Sequence, residues 1–165
     1  MAVNMNGMKF KIGSGFDAHP FVEGRPLVLG GLTIPYDRGL KGHSDADVLV
    51  HAIIDALLGA AGFDDIGTHF PDSDAAYKNI SSISLLQNVV LLLKTHQIQI
   101  GNIDATIIAE QPKIRPYVHE MRNTLAAVLE IPEENVSIKA TTTEKMGFTG
   151  REEGIAALAT ALIYL

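Results

Sequence analysis

Strand-like and helix-like stretches alternate along the whole chain, with no long linker, repeat or low-complexity tract between them. This alternation constrains the fold more than any single motif, because each amphipathic helix must bury its apolar stripe and a sheet is the surface that takes it. Phe10 to Gly15 reads as a first strand, and Leu27 to Ile34, interrupted by Gly30-Gly31, as a bent strand or hairpin. Ser44 and Asp47 make a capping-box-like start to a helix in which Val48, Ala52, Ile53, Ala56 and Leu57 share one face, ending near Gly59. A polar loop follows from Gly62 to Tyr77. Ser82 to His96 reads as a second helix, with Leu85, Leu86, Val89, Val90 and Leu93 inward. Ile98 to Ile108 alternates as a strand, Pro116 opens a helix to Leu129, Val136 to Thr142 is a strand, and Ile155 to Tyr164 reads as a closing helix. The expected architecture is a single α/β domain, a mixed sheet of four or five strands covered by helices.

At 165 residues and 47% apolar content, such a domain can bury a sizeable core without staples. With no cysteine there are no disulfides and no thiolate ligands, so any zinc must be held by nitrogen and oxygen. That composition suits a reducing cytoplasm. A net charge of −6 and the lack of a basic stripe argue against nucleic acid as a partner. No stretch reaches the roughly 20 apolar residues of a membrane span, and the N-terminus lacks the charged and apolar regions of a signal peptide. Residues 1–7 read as a short disordered extension, Met8 as the functional start, and 8–165 as the domain.

Within this frame an acid and two histidines are spaced for a metal. Asp17 and His19 lie two apart, on one side of an extended segment, and His51 sits in the helix opened by His43-Ser44-Asp45-Ala46-Asp47. Two imidazoles and a carboxylate leave a fourth tetrahedral position for a substrate oxygen, whereas structural zinc is usually closed by four protein ligands. Asp47 and Asp55, four residues either side of His51, are candidates to hydrogen-bond its other ring nitrogen. Read singly, each piece is also an ordinary turn acid, loop histidine or polar helix face.

Four loops look functional because they are polar and sit at element ends. His43-Ser44 offers a helix start to an anion, or is a plain N-cap. The acid- and turn-rich stretch from Asp64 to Asp74 is a substrate flap or a surface loop. Ala109-Glu110-Gln111-Pro112-Lys113-Ile114-Arg115 combines backbone donors with two cations, as a nucleotide pocket would, or is a solvated connector. Thr141-Thr142-Thr143-Glu144-Lys145 brings three hydroxyls that could donate to phosphate and, in Glu144, a hard oxygen ligand for Mg²⁺, although threonine also simply favours strands.

Taken in order, the segments Gly15-Phe16-Asp17-Ala18-His19, Leu29-Gly30-Gly31, His43 to Asp47, Asp55 to Ala60, Asp65-Ile66-Gly67, Phe70-Pro71-Asp72, Lys139 to Lys145 and Gly147 to Arg151 resemble the 2-C-methyl-D-erythritol 2,4-cyclodiphosphate synthase family, cyclases of the non-mevalonate isoprenoid pathway. The resemblance implies that Asp17, His19 and His51 hold Zn²⁺ and Glu144 a Mg²⁺ or Mn²⁺. It implies that His43 and Thr142 stabilise the transition state, with Asp17, Ala18, His19 and Ser44 also against substrate. Asp65, Ile66 and Gly67, with Phe70, Pro71, Asp72, Ser73 and Asp74, match a flexible substrate-contacting segment. Ala109, Glu110, Gln111, Pro112, Lys113, Ile114 and Arg115, with Thr141, Thr142, Thr143 and Glu144, match a cytidine and diphosphate pocket. Phe148 and Arg151 match substrate-binding positions near a threefold channel that takes isoprenoid diphosphates.

The resemblance further implies a ferredoxin-like α/β fold, a homotrimer with active sites between protomers, and conversion of 4-diphosphocytidyl-2-C-methyl-D-erythritol 2-phosphate to the 2,4-cyclodiphosphate with release of CMP. It implies a cytoplasmic enzyme in a bacterium, or a plastid one if the chain is a trimmed plant or algal protein. Two departures stand out: Ser14 occupies a place where histidine is frequent, and Lys78-Asn79-Ile80-Ser81-Ser82 replaces Lys-Gly-Ala-Asp-Ser, so that Ser81 would have to cap the second helix in place of Asp. The competing readings are a zinc-dependent phosphohydrolase and a metal-stabilised protein that binds isoprenoid diphosphates without turnover.

Overall fold

A computed structural model describes residues 9–71, 73, 74, 77 and 79–165; the expected N-terminal extension, Met8 and Asp72 lie outside them. The strands are β1 (Phe10–Glu23), β2 (Leu27–Leu29), β3 (Leu32–Ile34), β4 (Arg38–Leu40), β5 (Gln99–Ile108), β6 (Val136–Thr141) and β7 (Gly154–Tyr164). The helices are α1 (Val48–Ala61), α2 (Ile66–His69), α3 (Ser82–Thr95), α4 (Val118–Leu129) and α5 (Gly147–Gly150). Five strands form one mixed sheet in the order β4-β1-β7-β5-β6, and β2 and β3 form a separate hairpin. Only β5 and β6 run parallel; β7 is antiparallel to both β1 and β5.

The segment from Ile155 to Tyr164 is therefore a strand, not the helix its composition suggests. Alanine, the best helix former, dominates it, and both of its faces are largely apolar, which hides the two-residue period. Ile155, Ala157, Ala159, Ala161 and Ile163 are fully buried on the helix side. Between them, Leu158 and Thr160 point to the opposite face and are exposed. The first strand also runs well past Gly15, to Glu23. Pro116 lies in a short 3₁₀ turn, Arg115–Tyr117, that leads into α4. None of the helices among the described residues is long and apolar enough to cross a membrane.

Helix α1 is the centre of the core and is buried on nearly every side, because β1 and β7 flank it on one side and α3 on the other. Its approach to β1 is closer than any side chain allows: a Cβ on Gly15 would stand 2.1 Å from the Ala52 carbonyl oxygen and 2.7 Å from the Ala56 nitrogen. Gly15→Ala is accordingly expected to destabilise the fold by about 3 kcal/mol, a fall of roughly 6–12 °C in Tm. An unchanged Tm in a thermal melt would show that this contact relaxes freely. The Gly30–Gly31 turn joins β2 to β3 with positive φ at both residues (59° and 77°), the geometry of a two-residue hairpin.

The helices leave the other face of the sheet bare. Phe10, Ile12 and Phe16 of β1 are 53%, 63% and 57% exposed. They pair across the ladder with Tyr164, Leu162 and Leu158. The Ser14–Thr160 pair interrupts this otherwise apolar run, and exposed apolar strips are where partner surfaces dock most readily.

Candidate active site

Helix α1 runs antiparallel to β1, so its first turn meets the C-terminal half of that strand. There Asp17, His19 and His51 converge. Asp17 Oδ2 lies 3.0 Å from His19 Nε2 and 3.0 Å from His51 Nδ1, and the two ring nitrogens are 3.2 Å apart. Three donor atoms of N, N and O type, all within 4.8 Å of one another, form the only such group found among the described residues. The set fits a zinc ion that keeps an open position, as expected from spacing. Burial opposes charge on Asp17, but hydrogen bonds to His19 and His51 outweigh it and hold the carboxyl well below the usual carboxylate range. Burial likewise opposes a charged His19, and the Asp17 hydrogen bond outweighs it and raises that imidazole.

The cluster opens into a cavity of about 390 Å³ walled by His43 and Ser44 on one side and Ile66, Gly67, Phe70 and Pro71 on the other. The N-terminus of α1 also faces this end of β1, but its Val50 N–H is already met by the Asp47 carboxylate. His43 Nε2 is buried without a protein hydrogen-bond partner. Such a group costs about 1–3 kcal/mol unless something meets it, so a polar ligand in the cavity is the natural partner. The loop carrying His43 is held from behind by Arg25, whose guanidinium donates to the carbonyls of Gly42 (2.7 Å) and Ser44. Arg25, in a Gly-Arg-Pro turn, carried no motif that would single it out in the sequence.

The acids flanking His51 do other work than expected. Asp47 is fully buried and caps α1, accepting from Val50 N (3.2 Å), and also accepts from Gly30 N (3.0 Å) and Gly31 N (2.7 Å), pinning the hairpin turn to the helix start. Burial pushes its carboxyl up, against the pull of those three N–H groups. Asp55 instead accepts from Ile66 N at 2.8 Å, fixing the start of α2. The partners of His51 Nε2 are Ser82 Oγ (2.9 Å) and Ser44 Oγ (3.1 Å). Ser81 makes no side-chain cap on α3; Asp45 does so from a distant loop, accepting from Ser82 N at 3.0 Å.

The remaining expected residues divide. Asp65 caps α2 through Thr68 N (2.8 Å) and is exposed. Neither it nor Ala18, Ser73 or Asp74 lines the cavity. A second cavity of about 360 Å³ is walled by Ala109, Pro112, Lys113, Ile114 and Arg115 from one loop and Ala140, Thr141 and Thr142 from the end of β6. Glu110 turns away from it: Oε1 accepts from Thr143 N (3.1 Å) and Lys145 N (3.0 Å), bracing the threonine loop. The three hydroxyls are not equivalent either. Thr143 Oγ1 is committed to the Met146 carbonyl (2.6 Å), Thr141 Oγ1 donates to the Thr142 carbonyl (3.2 Å), and Thr142 Oγ1 donates to Glu144 Oε1 (2.8 Å). Thr142 and Glu144 thus form a small oxygen-rich edge, a donor set suited to a hard cation that also takes phosphate oxygens. Arg151 pairs with Glu153 at 2.7 Å, and Phe148 is 41% exposed.

Within one chain the two cavities do not merge. Asp17 is level with Ala157 of β7, Ile107 of β5 and Ala140 of β6. The metal cluster and the Thr142 loop therefore lie at one end of the sheet but three strands apart, roughly 14 Å at ordinary strand spacing.

The YgbB family model matches residues 10–164. The 2-C-methyl-D-erythritol 2,4-cyclodiphosphate synthase of Bacteroides fragilis is 61% identical over 156 residues, covering 94% of this chain and 98% of that protein. That of Bacillus subtilis strain 168 is 58% identical over 154 residues, covering 93% and 98%. Among solved structures, the bifunctional IspDF from Campylobacter jejuni superposes with a TM-score of 0.92 at 42% identity, covering 96% of this chain, which spans 43% of that one. The Plasmodium falciparum IspF CDP complex matches with a TM-score of 0.81 at 35% identity, over 93% of this chain and 95% of that one. Agreement of fold and of nearly full-length sequence shows that the chain belongs to the YgbB family, that of the 2-C-methyl-D-erythritol 2,4-cyclodiphosphate synthases.

Proposed function

We propose that the protein converts 4-diphosphocytidyl-2-C-methyl-D-erythritol 2-phosphate into 2-C-methyl-D-erythritol 2,4-cyclodiphosphate and CMP, with Asp17, His19 and His51 as its zinc site. The convergence of those three donors on an open cavity carries the reading. An oxygen of the 2-phosphate forms a bond to the β-phosphorus, and the bond from that phosphorus to the oxygen bridging it to the α-phosphate breaks, releasing CMP with the electron pair. The nucleophile is already an anion, so no general base is needed, and the task is to hold two mutually repelling phosphates in line. Zinc on Asp17, His19 and His51, and Mg²⁺ or Mn²⁺ on Glu144, would supply Lewis-acid neutralisation of phosphate charge when bound.

The chain's own groups supply the rest. His43 meets a phosphate oxygen through its otherwise unpartnered Nε2. Ile66, Gly67, Phe70 and Pro71 close over the erythritol carbons and exclude water. Lys113 and Arg115 take the cytidyl diphosphate in the second cavity, walled also by Thr141 and Thr142. The separation of the two cavities within one chain supports a site completed between protomers, and the family's homotrimer would provide it, with a contact surface that includes the bare face of Phe10, Ile12, Phe16 and Leu158. Phe148 of α5 and Arg151 at its C-terminal end would flank the axial channel and offer an apolar surface and a cation to an isoprenoid diphosphate.

The test is ³¹P NMR of the purified protein with the cytidyl diphosphate substrate, zinc and Mg²⁺, repeated after chelation. Two mutually coupled resonances of a cyclic diphosphate together with CMP, lost on chelation, are expected. Inorganic phosphate or a linear diphosphate would identify a hydrolase instead.

A further inference from the structure

The two nitrogens of His51 face different worlds. Nδ1 points to Asp17 Oδ2 at 3.0 Å, while Nε2 points into the protein, 2.9 Å from Ser82 Oγ and 3.1 Å from Ser44 Oγ. A neutral imidazole carries one proton, so Nδ1 can serve a metal only if that proton sits on Nε2. Asp17 pulls the other way, because an N–H at Nδ1 could donate to its carboxylate.

Ser82 decides the contest. It is fully buried, and its hydroxyl donates in a short contact to Asp45 Oδ1. The same carboxylate also accepts from Ser82 N (3.0 Å) and Asp47 N (3.2 Å). Three donors converging on Asp45 fix it as an acceptor, so the hydroxyl hydrogen of Ser82 is spent there and its oxygen offers His51 only lone pairs. Two lone pairs facing each other at 2.9 Å would repel; an N–H on Nε2 turns the contact into a hydrogen bond. Ser44 Oγ, 3.1 Å from the same nitrogen, can take a share of that N–H, so the fixed direction comes from Ser82. The arrangement is held by backbone bonds as well: Asn79 N donates to His43 O (2.9 Å) and Asp45 N to Ile80 O (3.1 Å).

We propose that Asp45 and Ser82 are positioning residues that set the tautomer of His51, keeping its proton on Nε2 and presenting Nδ1 to the metal. The inference rests on Asp17, His19 and His51 being the metal ligands but not on the cyclisation reaction. Carboxylate partners that orient ligating histidines usually act directly; here the carboxylate acts through a serine and also caps α3, tying that helix to the metal site.

The test reads the tautomer itself. In metal-free protein labelled with ¹⁵N-histidine, at a pH well above the ordinary histidine range, long-range ¹H–¹⁵N correlations are expected to place the His51 proton on Nε2. Ser82→Ala should move population to Nδ1, where Asp17 can accept it, and weaken zinc binding, measured by chelator competition, about 10- to 100-fold. Asp45→Ala supplies a second reading should the Ser82 variant fold poorly. Without the carboxylate that takes its hydrogen, the Ser82 hydroxyl is free to donate to His51 Nε2, again moving the proton to Nδ1. A wild-type protein with its proton on Nδ1, or variants with unchanged tautomer and zinc affinity, would overturn the proposal. No cyclisation assay enters, so this inference and the proposed reaction fail separately.

Discussion

Asp17→Asn is expected to lower bound zinc and turnover together, with kcat/KM falling by about 10³-fold or more. The substitution keeps the side chain's size and its place in β1 but removes the only carboxylate in the cluster. It also removes the charge towards which His19 and His51 both point at 3.0 Å. Zinc affinity needs that charge, because two neutral imidazoles alone make a weak and under-coordinated site. Asp17 is partly buried at the cavity edge and, beyond the two histidines, accepts from its neighbour Ala18 N, so the fold should survive and near-UV circular dichroism should be unchanged. Metal content by atomic emission and rate by ³¹P NMR are the paired readouts. Full turnover in a variant that retains no zinc would remove the metal from the mechanism.

Mixing two inactive variants is expected to restore activity from nothing. His51→Ala removes a donor from one cavity, and Lys113→Ala removes a cation from the other. In the proposed homotrimer, whose sites would join the metal cavity of one protomer to the cytidyl cavity of the next, each homogeneous variant has every site damaged. A trimer reassembled from equal parts has an intact metal half with probability one half and an intact cytidyl half with probability one half, so about a quarter of sites are whole. Recovery of roughly that share of wild-type rate after denaturation and joint refolding, with none on mixing the intact trimers, is the expected result. No recovery would mean that one protomer carries the whole site and that the separation of roughly 14 Å across the sheet is bridged within the chain.

The donor set was legible because it is local. Asp17 and His19 share a side of one strand by their spacing, and His51 follows a capped helix start whose signals, Ser44 and Asp47, lie beside it. The partners of that set were not legible. Asp47 and Asp55 have the right helical spacing to reach His51, yet their carboxylates are drawn to the unpaired N–H groups of Gly30, Gly31 and Ile66, which only tertiary packing brings near. Ser82 and Asp45 reach His51 and each other across 31 and 37 residues, and no periodicity links them.

The sequence by itself determined an α/β domain, the ligand types and the ordered motifs of a family, because these depend on side-chain chemistry and on repeats of two or 3.6 residues. The tertiary structure alone decided that Ile155 to Tyr164 is the strand between β1 and β5, since a segment apolar on both faces has no period to read until α1 covers one of them. It alone decided that Glu110 braces a loop, that Asp45 and Ser82 stand behind His51, and that one chain holds its two cavities apart. Each of these turns on which buried polar group is left without a partner, and that is settled only when the helices and the sheet have closed on one another.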